Sequence, residues 1–435
     1  MNFLLRLFLC QHILLRSRGK SKNTNKVIPL TMSEIEADFK RLERRKEPIS
    51  TKELERRWGE AREIMKKNGL DFLLIQQNNQ YFSGYLRWFT DYPAVHGYPI
   101  TLLFPLEGGM TMISHGAVPP APPGPPAWAL RGVEQRINAP YVPSLSYTAT
   151  YDAERVVEVL VSKGASSVGI VGMSFISAAF YEYLKKKLPT VKFVDVTDLI
   201  DELKAVKSEE ELRLIKKSAE IQDIAVETAL KAVKAGRREI EVTADIQRTL
   251  VSLGSEEQSI HCCSAPPGTP ATHMHYHLQN RVIREGDQVF IMIESSGPGG
   301  YWVEIGVTIC LGNIPKELEA AWEVAKEAQK RVLNHMKPGI TPKELLDINN
   351  DVLVNKGYPP EGRLCGHGQG YDIVERPALL RDETLKLKPG MNLAIHPTAK
   401  SDKAYAWICD NYIVTEGGVS DRLHRTPLEI VALGE

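Results

Sequence analysis

Residues 366–370, Gly-His-Gly-Gln-Gly, are the central motif of an ordered set that indicates the fold class of this chain. Pro-Gly-Met at residues 389–391 and Asp-Asn-Tyr-Ile-Val-Thr-Glu at residues 410–416 follow it. Gly-Asp at residues 286–287 and Gly-Tyr at residues 300–301 precede it. These motifs occur in a fixed order over the last third of the chain, and the order is more specific for a fold than any one motif alone.

The first half of the chain alternates between helical and strand-like patterns. Residues 51–69 carry apolar side chains at helical spacing, and Gly69 stands where a helix would end. Residues 71–75 form an apolar run that is typical of a buried strand. A further strand, helix and strand are indicated at residues 168–171, 175–187 and 191–196. Strands that alternate with helices predict an α/β domain.

A long helix opens the second half of the chain. Ser208 and Glu211 have the spacing of a capping box, and apolar residues follow them at helical spacing. We therefore expect the domain boundary near residues 204–207. The N-terminal α/β domain is predicted at residues 32–205, and the second domain at residues 206–435.

Two segments stand outside this domain plan. We expect residues 1–31 to be an extension without catalytic role, with an amphipathic targeting segment as the alternative. Their apolar part, residues 1–15, is too short to span a bilayer and lacks the basic start of a secretory signal. Residues 119–126 contain six prolines, which exclude a helix or an inner strand. They indicate a stiff loop on the surface, or alternatively a proline-rich segment that a partner protein binds.

Composition restricts the class of partner. The chain has 54 basic and 54 acidic residues, so no net charge attracts it to nucleic acid or to an anionic membrane. Its six cysteines show no paired Cys-x-x-Cys spacing, which argues against a disulfide framework or a zinc knuckle. We expect a cytoplasmic protein that acts on a small molecule or a short peptide.

The ordered motifs resemble the pita-bread superfamily, which contains methionine aminopeptidase, aminopeptidase P, prolidase and creatinase. The resemblance extends over about residues 50–430. It implies an α+β fold, in which a C-terminal pita-bread domain is preceded by a smaller creatinase-like α/β domain. It also implies a homodimer.

The resemblance further implies a metal site, but most of the expected ligands are replaced. Metallopeptidases of the superfamily hold two divalent ions with two Asp, one His and two Glu. The matching positions in this chain are Met292, Glu304, His367, His396 and Cys409, with Glu294 in place of Met292 if the hairpin register shifts. The remaining donors suit one Zn(II) or Fe(II) ion better than a pair of Mn(II) ions. The alternative is a metal-free pocket in which His396 and Cys409 are packed or hydrogen-bonded.

A run of histidines precedes the Gly-Asp motif. His275 lies eleven residues before Gly286, which is similar to the position of the histidine in creatinase, an enzyme that hydrolyses a C–N bond without metal. A histidine there is suited to proton transfer near neutral pH. If the run is a strand, His273, His275 and His277 share one face, and we expect His273 and His277 to contact the substrate. A Cys262 or Cys263 nucleophile paired with His275 is an alternative.

Two further places depart from the superfamily pattern. Glu375 and Arg376 occur where the peptidases have His-Glu-x-Pro, so they are candidates for the polar lining of the pocket, with surface ion pairing as the alternative. Residues 79–85 resemble a segment that lies near the partner subunit's active site in creatinase and prolidase relatives. Arg87 is therefore a candidate substrate contact.

These features predict a hydrolase that cleaves a C–N bond in a small, non-standard substrate, with a one-metal or metal-free site. His275, Glu304 and His367 are the predicted catalytic residues. A conventional metal-dependent Xaa-Pro aminopeptidase or dipeptidase is the nearest alternative. A lyase similar to the dimethylsulfoniopropionate lyases of this fold and a non-catalytic binding protein are the others.

Overall fold

The computed structural model describes residues 47–79, 81–94, 97–118 and 129–434. The predictions for residues 1–31 and for the prolines at 119–126 lie outside these ranges. Within the described ranges, no helix has both the length and the apolar character needed to cross a membrane.

The N-terminal half is a six-stranded mixed sheet with helices packed against it. The strands are β1 (Phe72–Gln77), β2 (Ile100–Pro105), β3 (Met110–His115), β4 (Val133–Ala139), β5 (Ser167–Val171) and β6 (Lys192–Asp195), in the order β4-β3-β2-β1-β5-β6. The helices are α1 (Thr51–Asn68), α2 (Gly84–Thr90), α3 (Tyr151–Ser162), α4 (Ala178–Lys187) and α5 (Thr197–Ala205). Strand β1 pairs in parallel with β5 and antiparallel with β2. The predicted α/β character of this half is confirmed.

Helix α1 shows how local sequence sets these boundaries. Its N-cap Ser50 accepts a hydrogen bond from the backbone N–H of Glu53. Gly69 ends the helix in the left-handed region at φ 61°, a conformation that costs glycine little. The predicted start and end of this helix are confirmed.

The C-terminal half contains a four-stranded mixed sheet, a five-stranded antiparallel sheet and four long helices. The helices are α6 (Glu209–Ala232), α7 (Glu239–Ser252), α8 (Lys316–His335) and α9 (Pro342–Asn355). One sheet has the order β17-β9-β8-β7, from β7 (Glu257–Ala265), β8 (Gln288–Ser296), β9 (Trp302–Leu311) and β17 (Val431–Leu433). The other has the order β11-β10-β12-β15-β16, from β10 (Gly366–Gly368), β11 (Glu375–Ala378), β12 (Asn392–Ile395), β15 (Asp410–Thr415) and β16 (Gly418–Val419). A separate hairpin pairs β13 (Thr398–Lys400) with β14 (Tyr405–Trp407).

Helix α6 begins at the predicted capping box. The Ser208 side chain accepts from the backbone N–H of Glu211, and the Glu211 carboxylate accepts from the backbone N–H of Ser208. An apolar core lies between helices α6 and α7 and the sheet that contains β7, β8 and β9. The α+β fold class is confirmed, whereas the domain limits 32–205 and 206–435 stay predictions.

Two groups of buried charges link sequence-distant parts of the chain. Arg57 of α1 is fully buried and donates to Glu211 of α6 at 3.0 Å and to Tyr301 at 2.9 Å. The second group, which we call the lysine–carboxylate cluster, consists of Lys204, Lys207, Asp372 and Glu375. In it Lys204 Nζ lies 2.6 Å from Asp372, and Lys207 Nζ lies 2.9 Å from Glu375.

Candidate active site

A cavity of about 990 Å³ lies over the two C-terminal sheets. Its polar lining includes Glu294 of β8, Glu304 of β9, His367 of β10 and His396 at the end of β12. His261, His273 and His275 also line it, as do Arg363 and Trp407. Most of the residues predicted from the sequence to carry the chemistry therefore share one space.

Glu304, His367 and His396 form a compact group at the floor of this cavity. All three are buried, and one donor atom of each lies within 4.8 Å of the others. His367 Nε2 is 3.5 Å from Glu304 Oε2, while its Nδ1 lies 3.0 Å from the carbonyl oxygen of Gly368. Two imidazoles and one carboxylate make a donor set that suits a single Zn(II) or Fe(II) ion.

Trp407 forms the wall beside this group. Its ring stacks on His396 with a centroid distance of 5.6 Å and an interplanar angle of 28°. The opposite strand leaves room for it at Gly306, since a Cβ built there would lie 2.6 Å from the Trp407 ring. Gly306 is thus required by the close approach of an aromatic side chain.

The charge states of the two acids differ. The hydrogen bond to His367 and the charges of His396 and His367 outweigh burial and lower the pKa of Glu304 to about 2. Burial and the neighbouring Glu304 charge raise the pKa of Glu294 well above its usual range. Burial also lowers the pKa of His396 to about 4, which leaves its imidazole neutral at neutral pH, the form that binds metals.

The β8–β9 register explains how Glu294 enters the site. Glu294 pairs with Glu304, and Met292 pairs with Gly306, in a ladder that is regular from Gln288 to Ser296. Since alternate residues share a face, Met292 and Glu294 both line the cavity. The position that matches the superfamily's first aspartate by count is therefore apolar, and Glu294 stands one pleat further on.

An amide network that the sequence did not reveal connects these acids. Gln369 Nε2 lies 3.2 Å from Glu294 Oε1 and 3.3 Å from Glu304 Oε2. Asn411 Nδ2 donates to the side-chain oxygen Oε1 of Gln369 at 2.9 Å, and Asn411 Oδ1 accepts from the backbone N–H of Glu304 at 2.7 Å. The sequence signal for Gln369 was its place in the same glycine-rich motif, two residues after His367 and just beyond β10.

The structure does not bring Cys409 into the group of three. Its thiol is buried and lies 3.8 Å from the backbone oxygen of Glu304. The thiol also hydrogen-bonds with the Glu304 side chain, so it lies beside the group, and its role as a ligand stays a prediction. Burial raises the pKa of Cys262 well above its usual range and that of Cys263 to about 12, which leaves neither as a thiolate nucleophile.

The histidine run is not a strand, so that prediction is wrong. His275 instead caps a single 3₁₀ turn, Tyr276–Leu278. His273 and His275 line the cavity, whereas His277 is not among the lining residues and stacks on His275 at 5.7 Å. No sequence motif indicated His261 of β7, whose ring lies 5.5 Å from His273 and 6.0 Å from His275.

Glu375 and Arg376 lie outside the cavity lining, which corrects the prediction that they contact substrate. Glu375 belongs to the lysine–carboxylate cluster. Arg376 pairs with Glu383 at 2.5 Å and with Asp198 at 2.9 Å. Both residues form ion pairs, but only those of Arg376 lie near the surface, because Glu375 and its lysine partners are buried.

Arg87 is likewise placed in the protein interior. Its guanidinium is buried and pairs with Glu256 at 2.8 Å. Two other residues of the same N-terminal region, Tyr81 and Phe82, do line the cavity. The N-terminal half of the chain thus contributes to the cavity of its own chain.

Comparison with known proteins gives two matching families. Residues 213–416 match Metallopeptidase family M24, and residues 57–206 match the Creatinase/Prolidase N-terminal domain. The predicted resemblance to the pita-bread superfamily is confirmed.

Individual relatives cover most of the chain. The Xaa-Pro dipeptidase of Pyrococcus horikoshii is 29% identical over 85% of this chain and 97% of its own length. That of Pyrococcus furiosus is 30% identical over 67% of this chain and 85% of its own length. The solved structure of the Xaa-Pro dipeptidase from Bacillus anthracis superposes with a TM-score of 0.70 at 23% identity, covering 87% of this chain and 100% of that one. These relatives are named peptidases, and the predicted hydrolase class is confirmed.

Proposed function

The chain belongs to metallopeptidase family M24, and from this premise we propose that it cleaves a C–N bond in a small peptide-like substrate with a single divalent ion. The observation that carries the proposal is the group formed by Glu304, His367 and His396. A small peptide-like substrate fits the names of the relatives, which are Xaa-Pro dipeptidases.

A count of one ion, not two, follows from the donors in the cavity. Met292 offers no oxygen at the position of the superfamily's first aspartate, and Cys409 is not among the three residues whose donor atoms lie within 4.8 Å of one another. Within the described residues, Glu304, His367 and His396 are the one such group of donors, and Glu294 is the single further acid that lines the cavity. When bound, such an ion polarises a carbonyl oxygen and lowers the pKa of water, which is the chemistry amide hydrolysis needs.

The residues of the chain would divide the remaining work. His275 on the cavity wall would transfer a proton to the leaving nitrogen. Glu294 would hold a proton at its carboxyl group beside the reacting bond. Gln369 and Asn411 would fix the orientation of Glu304 through their hydrogen bonds.

A second candidate is metal-free hydrolysis through histidine. The observation that favours it is the Gln369 amide, which donates to both acids and so satisfies them without a cation. In this alternative His275 transfers protons, and Glu304 and His367 hold the substrate. The lyase and the binding protein stay hypotheses from the sequence, as do the homodimer and the cytoplasmic location.

Metal content distinguishes the two candidates. Protein purified without chelators is expected to hold about one ion per chain and to hydrolyse an Xaa-Pro dipeptide. His396→Ala should lose the ion, whereas Cys310→Ala, the control at a buried cysteine outside the cavity lining, should keep it. Two ions per chain in the native protein would refute the single-ion site, and activity without any ion would favour histidine chemistry.

The proton-transfer role has its own test. His275→Ala is expected to lower kcat by about 10²-fold or more, since positioned general acids contribute about that much. His277→Ala is the control, because His277 stacks on His275 but does not line the cavity. Equal effects of the two substitutions would remove His275 from the mechanism.

A further inference from the structure

His424 is a buried histidine in the loop between β16 and β17, outside the cavity lining. Its ring nitrogen Nδ1 lies 2.6 Å from Oδ1 of Asp410 at the start of β15. Its other nitrogen, Nε2, lies 2.8 Å from Oε1 of Gln222 on helix α6. The imidazole therefore bridges a strand of the cavity floor and the long helix that begins the C-terminal half.

The orientation of the Gln222 amide is set by its other neighbours. Gln222 Nε2 donates to the backbone oxygen of Val303 at 2.7 Å and to the hydroxyl oxygen of Ser295 at 2.9 Å. A backbone carbonyl oxygen only accepts hydrogen bonds, so the amide atom beside Val303 must be the nitrogen. The amide oxygen consequently faces His424, and because it is an acceptor it requires a proton on Nε2.

The partner of the other ring nitrogen is also an acceptor. The Asp410 carboxylate receives hydrogen bonds from Nε of Arg422 and from the backbone N–H of Asn411. An ionised carboxylate that pairs with an arginine can only accept, so Nδ1 of His424 must donate to it. With a proton on each ring nitrogen, His424 is an imidazolium.

The loop that carries His424 is anchored on both sides of this residue. The backbone N–H of Leu423 donates to the backbone oxygen of Asn411 at 3.1 Å. The backbone N–H of Arg425 donates to the carboxylate of Asp223 at 2.9 Å. These anchors lie on β15 and on helix α6, the same two elements that the imidazole bridges.

The Gln222 end of the bridge lies directly behind the cavity floor. Ser295 and Val303, the two residues that Gln222 binds, pair with each other in the β8–β9 ladder. The next pair of that ladder consists of Glu294 and Glu304, the two acids of the floor. Because successive side chains of a strand point to opposite faces, this end of the bridge fixes the two strands at the point where the acids project into the cavity.

The Asp410 end of the bridge reaches the floor as well. The next residue, Asn411, accepts from the backbone N–H of Glu304 and donates to Gln369. Gln369 in turn donates to the side chain of Glu304. His424 thus connects strands β8, β9 and β15 at residues that are next to the floor donors.

We propose that the imidazolium of His424 is a positioning residue, which holds these three strands at the spacing that places Glu304 to bind an ion. An imidazolium has one N–H on each side of its ring, so it can donate to Asp410 and Gln222 at once, and its charge strengthens both hydrogen bonds. The effect on the ion rests on the proposed function, whereas the two protons and the geometry of the floor do not.

NMR of the native protein with ¹⁵N-labelled histidine tests the proton count. At neutral pH, both ring nitrogens of His424 are expected to show a directly bonded proton, assigned by nuclear Overhauser contacts with the Gln222 amide. A single protonated nitrogen at His424 would overturn the inference. This result is read in the native protein, so it does not depend on how well any variant folds.

The same spectra test the positioning role in His424→Gln, whose one neutral amide cannot donate on opposite sides. The signals of His367 and His396 should shift, and the affinity for Zn(II) should fall about tenfold, the lower end of the range for residues that orient metal ligands. Gln76→Leu, which removes a buried amide from the N-terminal sheet, is the control and should change neither. Unchanged signals and affinity in His424→Gln, or equal changes in the control, would contradict the positioning role.

Gln222→Met provides a second variant, because it keeps His424 but removes its link to β8 and β9. It should shift the signals of His367 and His396 as His424→Gln does, and unchanged signals would count against the bridge. A native protein that binds no Zn(II) would remove the proposed single-ion reaction. The inference would then be decided by the proton count and by the floor signals alone.

Discussion

Two buried groups of carboxylates in this protein differ in the partners that balance their charge. In the lysine–carboxylate cluster, Asp372 and Glu375 are matched by the ammonium groups of Lys204 and Lys207. At the cavity floor, Glu294 and Glu304 receive hydrogen bonds from the uncharged Gln369, and Glu304 also faces His367 and His396, which carry a charge only when protonated. A buried carboxylate whose counter-ion belongs to the fold holds the fold together, whereas one without such a counter-ion is where an outside cation gains most.

The acids of the cluster and of the cavity floor also differ in their pKa values. The charges of Lys204 and Lys207 outweigh burial and lower the pKa of Glu375 to about 2. At the floor, burial and like charge raise the pKa of Glu294 instead. In the cluster, burial also raises the pKa of Asp372, to about 6, so both of its acids are ionised at neutral pH, whereas the floor holds one ionised and one neutral acid.

The largest effect is expected from removing the anionic donor of the floor. Glu304→Gln should lower kcat/KM on an Xaa-Pro dipeptide by about 10³-fold, or ~4 kcal/mol of transition-state stabilisation, because a metal ligand and the only ionised acid of the floor are lost. Glu375→Gln, the matched change in the cluster, should leave kcat/KM of the folded protein within about threefold. Similar losses in both variants would erase the contrast between the two groups.

The next effect concerns stability. Lys207→Met leaves Glu375 buried with only Lys204, 3.5 Å away, as a counter-ion, and should lower the unfolding free energy by about 3 kcal/mol. Lys388→Met is the control, because Lys388 and its partner Glu202 are about half exposed, and should cost less than about 1 kcal/mol. Urea unfolding of both variants measures the difference, and equal costs would count against a structural role for the cluster.

The contrast also explains which parts of the site the sequence could predict. His367 and Glu304 were found because they stand at fixed distances from glycine motifs, and short strands preserve such distances. Glu375, Arg376 and Arg87 were misplaced, because a charged residue's position depends on partners such as Lys207, Asp198 and Glu256, which lie far from it along the chain. Burial of a charge is decided by tertiary partners, which local patterns do not contain.

The sequence likewise predicted the local features of the fold correctly and the features that need distant partners incorrectly. Helix α1 ends at Gly69 as predicted, because the cap is a local feature. The histidine run alternates like a strand, yet it follows a Pro- and Gly-rich loop and ends in the 3₁₀ turn at Tyr276–Leu278. A pattern of period two is necessary for a half-buried strand, but a strand also needs a neighbour to pair with.

The ionisation of Glu375 in the lysine–carboxylate cluster should make the stability of the fold depend on pH. Because the pKa of Glu375 is about 2 in the fold against 4.5 in the unfolded chain, its ionised form stabilises the fold above about pH 4.5. This contribution, about 3 kcal/mol, is lost as the pH falls towards 2. The unfolding free energies of native protein and Glu375→Gln should differ most at pH 6 and converge near pH 2. Glu416→Gln, at an exposed position, should follow the native curve throughout.

The smallest effect is expected from the neutral donor that stands in for a cation at the floor. Gln369→Leu removes hydrogen bonds to Glu294 and Glu304 and should cost about 1–2 kcal/mol in metal-free protein. Added Zn(II) should restore that loss, because an ion bound to the floor supplies what the amide no longer does. Gln76→Leu is the matched control, since the buried Gln76 also donates to a buried acid, Asp152, at 2.8 Å but lies far from the donor group in the sheet of the N-terminal half. Gln76→Leu should lower the unfolding free energy by a similar amount, and Zn(II) should not restore it. If Zn(II) restored the stability of both variants, or of neither, the floor would bind a cation no better than another buried carboxylate does.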